Sequence, residues 1–291
     1  MNNSSKMLNF REILFEILFL IATTTSIIAV AIICWFIFAN ALPAIKEIGF
    51  VNFLTGVDWK PTASDPKFGI LPMILGSVYV TAGAVILGVP IGILTAVFMS
   101  FYCPKKIYPI LQSGINLLAG IPSVVYGLWA LNVIAPFIRN NFGGYGTSML
   151  AAIVLLAIMI LPTIITLSEA ALQAVPDDYY TGSVALGASH ERAVFTVMLP
   201  AASSGVLSSV IMGVGRALGE TMAVKMVAGN QTAMPGSIFD GVRTLTTNII
   251  IEMNYAYGLH EQSLIATGAV LFFFILIINI AFNLVKGRDK K

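Results

Sequence analysis

Charge is what this sequence has least of. Only 10% of its 291 residues are Asp, Glu, Lys or Arg and 57% are hydrophobic, against about 25% charged in an ordinary soluble domain, which excludes a soluble fold. The net charge of +2, with basic residues in short clusters and no continuous stripe of them, excludes nucleic acid as a partner. Histidine and cysteine are nearly missing. His190 and His260 fall in segments on opposite sides of the topology derived below, and Cys34 and Cys103 have no neighbouring ligands, so no metal site assembles from them. The two cysteines also lie near opposite faces of the membrane, too far apart for a disulfide. No Gly-x-x-x-x-Gly-Lys-Ser/Thr run occurs, so nucleotide hydrolysis has no built-in site. Gly213-Val-Gly215 does not open a dinucleotide fingerprint, because Leu218 occupies the third glycine position and no strand precedes it. Nothing here describes an enzyme acting alone.

Long apolar runs are present instead. Six of them, at about 13–41, 69–102, 107–138, 148–167, 201–228 and 263–285, reach the roughly 20 residues that a bilayer span needs. They predict an all-α, polytopic membrane protein with one transmembrane domain over 1–291 and lipid as an obligatory partner. The first run exceeds a signal-peptide core and is read as a retained helix, despite Ala39-Asn40-Ala41. Residues 42–68 are polar without clear period and read as a surface loop with Trp59 at the membrane interface. In the second run Pro72, Pro90, Gly76, Gly83, Gly88 and Gly92 predict bending and close helix contact. Lys6, Arg11, Lys105, Lys106, Arg192, Lys286, Arg288, Lys290 and Lys291 all fall on one side, which the positive-inside rule makes cytoplasmic, with both termini inside. Lys46, Lys60, Lys67, Arg139 and Arg243 fall on the other side, diluted by acids in longer loops.

The fifth run carries Arg216, Glu220 and Lys225. An Arg near the bilayer centre costs roughly 3 kcal/mol on insertion scales, so such residues face a protein interior or a watery path. Two readings of Arg216 and Glu220 stand open: groups on a solute pathway, or an i, i+4 ion pair that holds the bundle together. Lys225 has two as well, as an attractor for an anion or as an anchor snorkelling to the interface.

Residues 168–200 form the longest polar stretch on the cytoplasmic side. Within them Tyr179 to Ala188 predict a short helix of small side chains, and Val197-Met-Leu199-Pro200 follows Gly187 at a spacing of ten. The pattern resembles the permease subunits of ABC importers, whose cytoplasmic loop reads Glu-Ala-Ala, then Gly, then an apolar residue before Leu-Pro. Aligned on Gly187, the Glu-Ala-Ala positions become Thr181, Gly182 and Ser183, a departure from the pattern, while the literal Glu169-Ala170-Ala171 stands at the wrong spacing. The resemblance makes Thr181, Gly182, Ser183, Ala185, Leu186, Gly187, Ala188, Leu199 and Pro200 the loop that docks in a groove of an ATPase subunit. Gly215-Arg-Ala-Leu-Gly-Glu220-Thr-Met-Ala-Val224, with Gly229-Asn230 downstream, narrows it to the PstC-type permease subunit of the Pst phosphate importer.

That resemblance implies a type I importer architecture in the cytoplasmic (inner) membrane and no cofactor of its own, ATP being bound by a partner. It implies a PstA-like second permease, a PstB-like ATPase dimer and an extracytoplasmic phosphate-binding protein. Arg216 is then the phosphate-binding group, since a guanidinium stays charged and donates two parallel hydrogen bonds to an oxyanion. Glu220 orients and balances it. Another oxyanion, sulfate or molybdate, fits Arg216 equally, and a membrane scaffold that binds a cytoplasmic partner without passing solute is the alternative from another class.

Overall fold

The structure, a computed structural model, describes residues 3–288. Lys290, Lys291, both chain ends and the side chains of Lys6, Arg11, Lys286 and Arg288 lie outside the described residues. The chain opens with α1 (Asn3–Ile48), α2 (Phe50–Thr55) and a two-stranded antiparallel hairpin, β1 (Trp59–Lys60) with β2 (Lys67–Phe68). There follow α3 (Leu71–Val97), extended by a π-helical turn to Tyr102, then α4 (Tyr108–Gly120), α5 (Ser123–Phe142) and α6 (Met149–Gln173). The next segment holds α7 (Asp177–Ala185), α8 (His190–Ala193), a second π turn and α9 (Leu199–Ala201). The chain ends with α10 (Ser203–Gly219), α11 (Met222–Val227), α12 (Leu245–Glu252) and α13 (Leu259–Arg288). The all-α class therefore holds.

α6 is the centre. It packs against α3, α10, α5, α4 and α11, and Leu155, Leu156, Met159, Ile160 and Ile164 are fully enclosed. Lipid tails are as apolar as Leu, so close van der Waals fit drives helix association here, and small residues allow it. Gly83, Gly88 and Gly92 present α3 to Ile153, Ile160 and Ile164; a Cβ on Gly88 would stand 2.8 Å from Ile160 Cδ1 and 3.1 Å from Ala157 O. On the other flank a Cβ at Gly205 of α10 would reach within 2.4 Å of Ala171 Cβ. By contrast α1, over its described side chains, is exposed along most of its length; its last turns pack, through Ala41, Ala44 and Phe38, with Phe38 5.4 Å from the Phe273 ring of α13.

Among the described residues four helices are long and apolar enough to cross a membrane, and six spans result if each of two sharply bent helix pairs counts as one. The run at 107–138 is not a single helix: α4 and α5 meet at 97°. Pro122 dictates this, because the residue before a proline is driven from the helical region, and Ile121 is extended at ψ 127°. At the break the Leu118 carbonyl accepts both the Ile121 N–H at 3.4 Å and the Tyr126 hydroxyl at 2.8 Å, which ties α5 back to the end of α4. A second bend of 69° separates the stretch His190–Ala201 from α10.

Residues 42–68 are more ordered than a surface loop. Trp59 is 5% exposed and stacks edge-on against Phe68, so it is a core residue and not an interfacial one. Asp58 beside it is held below the ordinary carboxylate range, first by the Lys67 ammonium and then by Lys60.

Candidate translocation site and coupling loop

The fifth apolar run breaks where its charges are. α10 ends at Gly219, Glu220 is extended (φ −68°, ψ 129°) and α11 begins at Met222. Glu220 Oε1 accepts the backbone N–H groups of Thr221 and Ala223, each at 3.1 Å. A carboxylate suits that end of a helix, where N–H groups lack intrahelical partners and the dipole is positive. Arg216 lies in the last turn of α10, exposed, with Nη1 3.3 Å from Thr163 Oγ1 of α6. Among the described residues no ion pair joins Arg216 to Glu220; an i, i+4 pair needs one continuous helix, and the break removes it. Lys225 stands beyond the break in the last turn of α11, half-buried, and its carbonyl accepts Asn230 Nδ2 at 2.6 Å. The structure thus brings Arg216 and Glu220 to one break and sets Lys225 on the following helix.

Met212, Gly215, Arg216 and Gly219 are all exposed, and their spacing of i, i+3, i+4, i+7 makes them one face of α10. No heavy atom comes within 4 Å of a Cβ built on Gly215 or Gly219. An uncovered strip of Met212 and two glycines therefore runs beside the one guanidinium on this helix.

The polar stretch expected at 168–200 starts later than its composition suggests. Ser168 to Gln173 remain in α6, with Ser168 and Glu169 0% and 4% exposed. They stay buried because partners face them: Ser168 Oγ lies 2.7 Å from Ser209 Oγ, and Glu169 Oε1 accepts the Tyr108 hydroxyl at 2.7 Å and Gln173 Nε2 at 3.1 Å. The expected short helix is α7, begun by Pro176 with Asp177 and Asp178 in its first turn, which favours helix formation there. Thr181, Gly182, Ser183 and Ala185 lie on it. It stops three residues before Ala188, since Gly187 adopts φ +90° and its N–H returns to the Val184 carbonyl at 2.9 Å, a left-handed helix ending that glycine favours. Leu186, 92% exposed, projects at that turn beside exposed Val184 and Ala185. Leu199 and Pro200 sit on α9, at the bend into α10, where Leu199 packs against a cluster that includes Ala96, Leu172 and Val194.

Other residues at these sites are marked by no motif in the sequence. His190 joins α7 to its surroundings, with Nδ1 2.9 Å from the Tyr180 hydroxyl and its ring 4.8 Å from that of Tyr102. At the opposite end Glu252, 6% exposed, binds Trp59 Nε1 at 2.9 Å, His260 Nε2 at 2.9 Å and Arg243 Nη1. The only hint of this cluster was opposite charges with a His and a Trp in a chain that has few of any. Among the described residues no group of three or more His, Cys, Asp or Glu could hold a metal ion.

Residues 88–288 match the family described as the binding-protein-dependent transport system inner membrane component. The chain is 35% identical over 257 residues, 81% of its length and 78% of the relative's, to the phosphate transport system permease protein PstC of Mesorhizobium japonicum. The chain belongs to this permease family, among its PstC-type members. The permease is also 42% identical over 241 residues to the probable ABC transporter permease protein YqgH of Bacillus subtilis (strain 168), covering 80% of this chain and 78% of the relative. Its fold matches a chain of a bacterial alginate ABC transporter, crystallised with an alginate pentasaccharide-bound periplasmic protein, at TM-score 0.66 and 14% identity over 98% of each chain. The permease is thus a membrane protein with the type I importer architecture.

Proposed function

We infer that the permease is one half of a translocation pathway that imports inorganic phosphate across the cytoplasmic membrane, driven by ATP hydrolysed on a separate subunit. The observation that carries this reading is Arg216: a guanidinium without an ionic partner among the described residues, on an uncovered face of α10, at the break of a membrane helix. Burying such a group unpaired is costly, and an oxyanion that accepts two of its hydrogen bonds offsets that cost when bound. Glu220 serves by capping α11 and so fixing the end of α10 from which Arg216 projects. Lys225 on the next helix draws the anion toward the break. The names of PstC-type relatives support phosphate as the solute.

A PstA-like subunit covers the open face of α10, and a PstB-like ATPase dimer receives Leu186 and the α7 turn in its groove. An extracytoplasmic phosphate-binding protein delivers the anion. ATP binding moves the ATPase halves, α7 and α9 carry that motion to the bend before α10, and the pathway alternates between two accesses. Both termini are cytoplasmic, and the chain holds no cofactor.

The test is uptake of labelled phosphate by proteoliposomes containing the full complex and binding protein, with sulfate and molybdate as competitors. Phosphate uptake that neither competitor displaces supports the reading. Uptake of sulfate or molybdate in preference reassigns the solute, and binding-protein-stimulated ATPase without any uptake makes the chain a scaffold.

A further inference from the structure

α12 is tied at both ends to parts of the molecule far apart in sequence. At its start Thr244 and Thr247 cap each other's backbone N–H groups, and the Leu245 N–H donates to Ser77 Oγ of α3 at 2.9 Å. The Thr246 hydroxyl, 8% exposed, donates to the Glu220 carbonyl at 3.1 Å. That carbonyl follows the end of α10, so no continuing α-helix supplies it a donor, and an unmet acceptor in apolar surroundings is expensive. At its other end Glu252 gathers Trp59 from the β1 hairpin, Arg243 from the preceding loop and His260 from the start of α13. Asn248, 0% exposed, also accepts from Arg243 Nη1 at 3.1 Å. Thr246 and Glu252 stand near opposite ends of this eight-residue helix, about 9 Å apart along its axis.

The geometry points to α12 as a strut that passes displacement of the Glu252 cluster to the break at Glu220, with Thr246 and Glu252 as positioning residues for Arg216. The inference rests on Arg216 being the anion-binding group. A short helix fixed by side-chain bonds at each end moves as a unit, so a shift of the hairpin or of α13 at Glu252 displaces Thr246. Thr246 holds the carbonyl that sets the end of α10, and Arg216 is one turn back. In the proposed orientation the Glu252 cluster lies on the side where the solute-loaded binding protein arrives. The strut therefore carries that arrival inward.

The experiment measures ATPase stimulation by solute-loaded binding protein in the reconstituted complex, for wild type, Thr246→Val, Thr246→Ser and Glu252→Gln. Binding protein loaded with phosphate is used first, then with sulfate or molybdate, and the variants are compared with whichever oxyanion stimulates wild type. Which oxyanion works decides the solute; the variants decide the strut. Thr246→Val and Glu252→Gln are expected to lose stimulation by roughly fivefold or more, the scale of a coupling carried by single hydrogen bonds. Basal ATPase activity and the yield of assembled complex should hold, and Thr246→Ser, which keeps the hydroxyl, should restore stimulation. Wild-type stimulation in Thr246→Val overturns the strut, as does failure of Thr246→Ser or a loss matched by lost assembly. If no oxyanion stimulates wild type, the strut falls together with the transport reading.

Discussion

Glu220 gives its carboxylate to the backbone of α11 and leaves Arg216, four residues back, without an ion pair among the described residues and hydrogen-bonded to the Thr163 hydroxyl. Two opposite charges one helical turn apart in a membrane segment invite an ion pair. The extended backbone of Glu220 rules it out here.

If Glu220 is a cap, its hydrogen-bond acceptor matters more than its charge. Glu220→Gln keeps a side-chain oxygen for the Thr221 and Ala223 N–H groups and should keep assembly, whereas Glu220→Leu should destabilise the subunit by about 0.5–2 kcal/mol, the usual cost of a lost cap. Thermal unfolding of the purified complex in detergent measures the difference. Equal stability of the two variants would remove the capping role.

Arg216→Lys should lose phosphate uptake nearly as severely as Arg216→Ala, because an ammonium keeps the charge but not the planar two-pronged geometry. The double variant Arg216→Leu/Glu220→Leu should hydrolyse ATP without carrying phosphate. Measurable uptake by that variant would end the anion-binding role.

At the α7 turn, Leu186→Asp should weaken co-purification of the ATPase subunit by tenfold or so, the effect of losing about 1.4 kcal/mol in binding. Nothing inside the subunit packs on Leu186 to be lost, since it is 92% exposed. Gly187→Asn should be tolerated better than Gly187→Val, as Asn accepts a left-handed backbone and a β-branched residue does not. Pull-down from solubilised membranes reads all three.

Between α3 and α6, Gly88→Ala should destabilise by about 1–3 kcal/mol through overpacking, since its new Cβ meets Ile160 at 2.8 Å. Ile160→Val removes Cδ1, the nearer of the two Ile160 atoms in conflict, and leaves Cγ1 at 2.9 Å, so it should recover part of that loss in the double variant. Unfolding midpoints of the complex decide it; additive losses would mean the two residues do not meet.

A cysteine at Ser64 should react with a membrane-impermeant reagent in intact cells, and one at Lys106 or Ser189 only after permeabilisation. All three positions are exposed. The reverse pattern would invert the orientation and move the ATPase site to the wrong side.

The sequence by itself determined the environment and the element type, because hydrophobic runs of span length leave a membrane helix as the state that meets every backbone hydrogen bond internally. It also marked Arg216 and Glu220, since charge in such a run is rare, and it located the α7 turn through Gly187. It did not tell where helices stop. Pro90 and Pro162 stay inside α3 and α6, while Pro122 ends α4 beside a 97° bend, and composition makes the three look alike. The end of α10 at Glu220 needs the Thr246 hydroxyl from 26 residues further on, and Glu252 needs Trp59 from 193 residues back. Such breaks and buried charges are stable only when distant groups supply the missing hydrogen bonds, and which distant groups meet is a property of the packed helices alone.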